Sequence, residues 1–389
     1  MAAWRLLAIL FAARATMAFQ FQSAAALSPY LAEHYGVGLA EIGLMIGLYL
    51  SPGLVAAYPG GAIGRRFGER RVVLLGLGLM ALGGCLAALP LGWGAQLAAR
   101  AVAGTGGVLL NILMSKMVAD AFAGGRLATA MGVFVNSWPV GIAAALLVLP
   151  PVADSAGLGT ALWLTAVLVM GGLTVFAFGV PGAADGKSAA PAVASEVRLS
   201  AGPLRGAIAT GAVWGLYNGA LGMIFGFGPA LLAERGWPPV EAGRMTSAVL
   251  WLVAVSVPLG GFLADRTGRP GLVLWSSLAG FAVLLAAGAS GAPLVAVFLA
   301  AGLVGGLPAG PIMSLPAGVL PAPVRAEGMG VFFTLFYAGT VGGPLLAGWL
   351  GQVAGTASAA FALGAVMVAA CAPALLATRR IECGLAHSA

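Results

Sequence analysis

Charge is what this sequence has least of. Lysine, arginine, aspartate and glutamate together make up 8% of its 389 residues, where soluble globular domains carry about 25%. That shortage excludes a water-soluble fold. Cysteine and histidine are almost missing. Cys85 and Cys371 lie inside apolar runs and Cys383 in the tail, a pattern with neither a disulfide framework nor metal-ligand spacing. His34 and His387 fall in a predicted loop and in the tail, and no Ser/His/Asp set can be placed together. No enzyme site is therefore expected, and no cofactor or metal. A basic stripe interleaved with aromatics on a soluble domain is lacking too, so the net charge of +7 does not point to nucleic acid.

What the chain has instead is apolar length. Hydrophobic residues make up 60% of it, gathered in runs of about 20 residues, each long enough to cross the hydrocarbon core of a bilayer. The opening stretch MAAWRLLAILFAARATMA has the outline of a signal peptide, but more membrane follows it, so it reads as the first span. Twelve spans are predicted, at 6–31, 40–63, 72–90, 95–118, 127–149, 158–180, 204–232, 241–263, 272–290, 293–319, 328–351 and 355–377. They group into an N-terminal six-helix bundle (1–180), a polar Ala/Ser/Pro-rich linker (181–203), a C-terminal six-helix bundle (204–377) and a short tail (378–389). One set of loops holds Arg65, Arg66, Arg70, Arg71, Arg126, Arg266, Arg269 and Arg325, while the opposite set holds little beyond Arg235. By the positive-inside rule both termini and the linker are expected in the cytoplasm.

The two halves repeat one another. GGAIGRRFGER at 60–70 returns as GGFLADRTGRP at 260–270, and Glu41, Gly43 and Met45 return as Glu241, Gly243 and Met245. MGVF at 131–134 returns at 329–332, the offset having slipped from 200 to 198. Six spans per half in the same orientation make a parallel repeat, an architecture used by transporters.

The second turn closely resembles the cytoplasmic signature of the major facilitator superfamily, G-x-L-a-D-R-x-G-R, through Gly261, Leu263, Asp265, Arg266, Gly268 and Arg269. The first keeps Gly61, Gly68 and Arg70 but puts Arg65 at the position of the acid. RAVAGTGG at 100–107, with Arg100 and Gly104, resembles an element of the family's fourth helix, and GTVGGPLLAG at 339–348 resembles its antiporter element. The resemblance implies an all-α membrane protein with twelve transmembrane helices in two pseudo-symmetric six-helix bundles. It also implies a solute transporter with no enzymatic activity, working by alternating access as a monomer in the inner membrane of a bacterium, with a small-molecule substrate and the bilayer as partners. In this family the signature acid faces a helix N-terminus and holds the cytoplasmic gate shut. Asp265 is therefore expected near Arg325 and the start of the fifth span, with Arg65 unable to make the mirror contact. The alternative is that these charges only set topology.

None of the twelve acids falls in the middle of a span, whereas Arg14 lies deep in the first and Arg100 near the outer third of the fourth, with Lys116 nearer the cytoplasmic end and Asp120 one turn beyond it. An arginine near the bilayer centre costs about 2.5–3.5 kcal/mol on insertion scales, so it should face protein, water or ligand. Arg14 shares a helical face with Gln22, and Arg100 with Gly104 and Asn111. By resemblance the substrate cavity draws on these spans, with Asn136, Trp214, Tyr217, Asn218 and Tyr337 as further lining candidates. Cations without intramembrane acids fit a small anion and the cyanate-permease-like branch of the superfamily. The rival readings are an antiport exporter of an apolar or drug-like compound and a non-transporting sensor. Arg14 and Arg100 also have a structural reading, as donors to helix carbonyls.

Overall fold

The computed structural model describes residues 3–37, 39–181, 199–237, 239–291 and 293–388. Most of the predicted linker at 181–203, the side chain of Arg65 and the surroundings of Gly61 lie outside the described residues. Among the described residues every regular element is a helix. In the first half these are α1 (Ala3–Ala26), α2 (Ser28–Tyr35), α3 (Leu39–Leu50), α4 (Pro52–Phe67), α5 (Glu69–Ala88), α6 (Trp93–Ala121), α7 (Leu127–Ala156) and α8 (Leu158–Gly179). In the second they are α9 (Ala201–Glu234), α10 (Pro239–Thr267), α11 (Pro270–Ser290), α12 (Leu294–Gly305), α13 (Ala309–Val319), α14 (Arg325–Ala354) and α15 (Ser358–Ser388). Among the described residues eleven stretches are long and apolar enough to span a membrane, and Leu44–Gly60 is a shorter apolar one. They correspond one for one to the twelve predicted spans.

Among the described residues three predicted spans are interrupted, the first at Leu27 between α1 and α2 and the second and tenth each at a proline. Pro52 has no N–H to give the carbonyl of Leu48, and the hydroxyl of Ser51 donates to that oxygen at 3.2 Å. The second span is thus divided into α3 and α4. Pro308 divides the tenth in the same way. There Tyr217 donates to the Gly305 carbonyl at 2.6 Å and Ser256 to that of Gly302 at 3.0 Å. Polar side chains so replace the ladder bonds that a helix in lipid cannot leave unmade.

The helices gather into two compact units. One holds residues 1–121, 137–200 and 322–330, and the second holds 122–136, 201–321 and 331–389. The division does not follow the sequence halves. The start of α7 belongs with the second unit, and the start of α14 with the first. Within the first unit α5 packs on α6 and α8, and α1 on α8; within the second α15 packs on α9 and α11, and α10 on α12. Both signature turns use a glycine at positive φ, Gly68 at 88° and Gly268 at 63°, a backbone state that favours glycine.

Candidate functional site

Arg14 lies in the interior of α1, 6% exposed. Its Nε donates to Asn111 Oδ1 of α6 at 2.8 Å and its Nη1 to Ser137 Oγ of α7 at 2.9 Å. The guanidinium also sits over the Trp138 ring, 5.7 Å from its centroid, and Trp138 packs on Phe21 at 5.1 Å. Two neutral oxygens and an aromatic face thus hold the fork in one orientation without supplying negative charge themselves. Asn111, a predicted site residue, is here. Ser137 was not foreseen, because a serine inside an apolar run carries no signal until the neighbouring helix is known. Gln22 is half-buried on α1, and the glutamine that is engaged is Gln20.

Gln20 belongs to a second polar group, around Arg100. Gln20 donates to the Met80 carbonyl at 2.8 Å and accepts from Tyr49 Oη at 3.2 Å. Arg100, 4% exposed, donates to the backbone carbonyls of Gln20 at 2.5 Å and Phe21 at 3.3 Å and lies over the Tyr49 ring at 5.5 Å. This is the structural pattern weighed for Arg100 in the sequence. A Cβ on Gly104 would stand 2.1 Å from the Tyr49 carbonyl oxygen, so only glycine lets α6 approach α3 so closely.

In the second unit the predicted aromatics form a stack. Trp214 lies near-parallel to Tyr217, Phe332 and Phe336 at 5.5, 6.4 and 6.0 Å, and Tyr337 meets Phe336 edge-on at 5.0 Å. The hydroxyl of Tyr217 is committed to the helix break at Gly305, and Asn218 donates to the Trp214 carbonyl at 2.9 Å. The indole N–H of Trp214 and the Oδ1 of Asn136 are buried without a hydrogen-bond partner.

Asp265 accepts from the backbone N–H of Thr129 at 2.7 Å, within the first turn of α7, where the helix dipole favours an anion. Gly261 packs there as well, since a Cβ on it would lie 2.3 Å from the Ala128 carbonyl oxygen. Arg325 pairs with Asp120, which also takes Lys116 at 2.8 Å, and Lys116 reaches Glu69. Tyr58 donates to Glu327 at 3.2 Å. Arg70 donates to the Val180 and Ala177 carbonyls at 2.7 and 2.8 Å, closing the C-terminal end of α8. Arg266 lies over Phe262, and Arg269 is exposed.

Among curated proteins none matches the chain. Solved structures do. FucP, a transporter captured in the outward conformation, superposes with a TM-score of 0.78 at 16% identity, over 96% of this chain and 98% of that one. The proton:xylose symporter XylE, bound to 6-bromo-6-deoxy-D-glucose, gives 0.74 at 15% identity, covering 95% and 94%. The human organic anion transporter MFSD10 gives 0.72 at 19% identity, covering 98% and 100%. At such identities the likeness is one of fold. The family model described as Major Facilitator Superfamily matches residues 9–230 and again 206–382, nearly the whole of the chain, which therefore belongs to that superfamily.

Proposed function

We propose that the protein is a secondary transporter that moves a small anion across the membrane by alternating access, with Arg14 meeting the substrate's negative charge. The observation that carries this reading is the orientation of the Arg14 fork by Asn111, Ser137 and Trp138. A guanidinium held this way inside a low-dielectric bundle attracts an anion several times more strongly than it would in water. It can also engage a planar carboxylate through two parallel bonds. The sequence supports the polarity, since it places no aspartate or glutamate in the interior of any span. MFSD10, named as an organic anion transporter, is a neighbour of compatible chemistry. The cyanate-permease-like branch is the subfamily this reading favours.

In this account Asn111 positions Arg14, while Gln22, Asn136, Trp214, Asn218 and Tyr337 are further contacts for substrate. Asp265 and its signature residues Gly261, Arg266, Gly268 and Arg269, with Gly61, Arg65, Gly68, Arg70 and Arg325, serve the cytoplasmic gate. Both termini face the cytoplasm, and the protein acts as a monomer in the inner membrane.

The aromatic stack around Trp214 favours a second reading, antiport export of an apolar or drug-like compound. Proteoliposome uptake of nitrate, cyanate, acetate and benzoate separates the two. The anion reading expects uptake of at least one of them, lost in Arg14→Gln. Exclusion of all four, together with efflux of an apolar dye, makes the exporter the correct reading.

A further inference from the structure

Helix α7 changes company partway along. Residues up to Asn136 cluster with the second unit and residues from Ser137 with the first. Its opening turns are held by Asp265 at the Thr129 amide, at 2.7 Å. Glycines pack them closely: a Cβ on Gly132 would lie 3.0 Å from the Val257 carbonyl oxygen, and one on Gly310 would lie 2.7 Å from that of Ala128. Its later turns rest on α1. There a Cβ on Gly141 would stand 2.3 Å from the Ala15 carbonyl oxygen and 2.6 Å from the Ala18 Cβ, so the two helices touch backbone to backbone. Between these regions stands Pro139, the first of three prolines in the helix, which has no N–H for the ladder and so makes a soft point here. Two residues before Pro139, at the first residue of α7 that clusters with the first unit, Ser137 Oγ accepts from Arg14 Nη1 at 2.9 Å. Ser137 is fully buried.

We propose that Ser137 is a positioning residue that couples the guanidinium of Arg14 to the Asp265–Thr129 contact through α7. The proposal rests on the transporter reading of Arg14 and adds a device that reading does not contain. Thr129 and Ser137 are eight residues apart on one helix, a span of about 12 Å, so a pull at one end is felt at the other. While Arg14 holds Ser137, the soft point is pinned and the opening turns keep the Thr129 amide on Asp265. An anion that accepts from the fork competes with Ser137 for Nη1. Loss of that bond frees the opening turns to swing about Pro139, and the Thr129 amide leaves its carboxylate. Thr165 of α8 is also buried in the first unit, but its hydroxyl donates to the Ala161 carbonyl of its own helix at 3.1 Å and has no part in this path.

The amide that makes the contact is also its reporter. Hydrogen–deuterium exchange at Thr129, resolved by fragmentation mass spectrometry of the full chain in nanodiscs, reads the fraction of time the contact is open. Ser137→Ala and Arg14→Gln are expected to speed exchange at Thr129 about fivefold, the effect of losing one tethering hydrogen bond. The double variant should be no faster than either single one. Ser137→Thr, which keeps the hydroxyl, should restore the slow rate, and Thr165→Ala should leave it unchanged. Benzoate, used as a carboxylate probe, should bring wild-type exchange to the Ser137→Ala rate and have no effect on Ser137→Ala. Wild-type exchange in Ser137→Ala overturns the proposal, as does an equal acceleration in Thr165→Ala, which would reveal general loosening of the bundle. Fast exchange in Ser137→Ala with no response of wild type to benzoate upholds the coupling and counts against the anion reading alone.

Discussion

Asp120→Asn should weaken the attachment of the start of α14 to the first unit, and the structure sets how much. The Asp120 carboxylate pairs with Arg325 and, at 2.8 Å, with Lys116, whose ammonium also reaches Glu69. The exposures are unequal: the Arg325 side chain is 10% exposed and that of Asp120 34%. Two unit charges about 3 Å apart attract by about 5 kcal/mol at an effective dielectric of about 20. A carboxylate one-third exposed recovers much of its hydration when the pair breaks, which leaves about 1–2 kcal/mol of net coupling. Lys116 and Asp120 are an i,i+4 pair on α6, worth about 0.3–0.5 kcal/mol. Asp120→Asn alone should cost about 2–3 kcal/mol, because it strands the buried Arg325 charge as well as losing the pair. A double-mutant cycle with Arg325→Gln, read by reversible unfolding in a denaturing detergent, isolates the coupling. The double variant should be more stable than the sum of the single losses predicts, by about 1–2 kcal/mol. Additivity within about 0.3 kcal/mol would refute the idea that this ion pair fastens α14.

Asp265→Asn removes the charge at the first turn of α7 but keeps an acceptor for the Thr129 amide, whereas Asp265→Ala removes both. The first should cost about 0.5–1 kcal/mol and the second about twice that; an interdomain spin-label distance that shifts equally in both would show that the charge contributes nothing. Gly104→Ala forces a Cβ against the Tyr49 carbonyl, a backbone atom that cannot move alone. It should destabilise by about 1–3 kcal/mol, and unchanged detergent stability would contradict the packing described. Arg100→Gln, which loses two charge-assisted bonds to α1 carbonyls, should lower stability by about 2–3 kcal/mol while leaving anion affinity intact. An isothermal titration showing lost affinity in a stable Arg100 variant would move Arg100 into the substrate site.

Recurring apolar length and the 200-residue repeat make the architecture readable in the sequence, since bilayer thickness dictates span length whatever the tertiary packing. The breaks at Pro52 and Pro308 were less legible. Proline inside a span is tolerated wherever a neighbour supplies the missing bond, and the donors that do so, Ser51 and Tyr217, declare themselves only in three dimensions. Tyr217 had a plausible place among cavity aromatics, and its hydroxyl proves to be committed to backbone. Arg14 and Asn111 were each visible as lone polar residues in apolar helices, but their pairing needed the α1–α6 contact. Arg325 shows the opposite limit: its charge was plain in the sequence, and its partner Asp120 lies 205 residues away on a helix end where an acid signals nothing by itself.

The central claim is that Arg14 binds the negative charge of the substrate, and equilibrium binding tests it most directly. The measurement is the affinity of purified wild type, Arg14→Gln and Arg14→Lys for whichever anion the uptake panel identifies, taken alongside their detergent stability. The account predicts that Arg14→Gln abolishes binding with folding nearly intact. It also predicts that Arg14→Lys recovers only part of the affinity, because an ammonium keeps the charge without the planar fork. Arg14→Gln protein that is less stable yet binds the anion with wild-type affinity would contradict it, and would assign Arg14 to the scaffold of α1, α6 and α7.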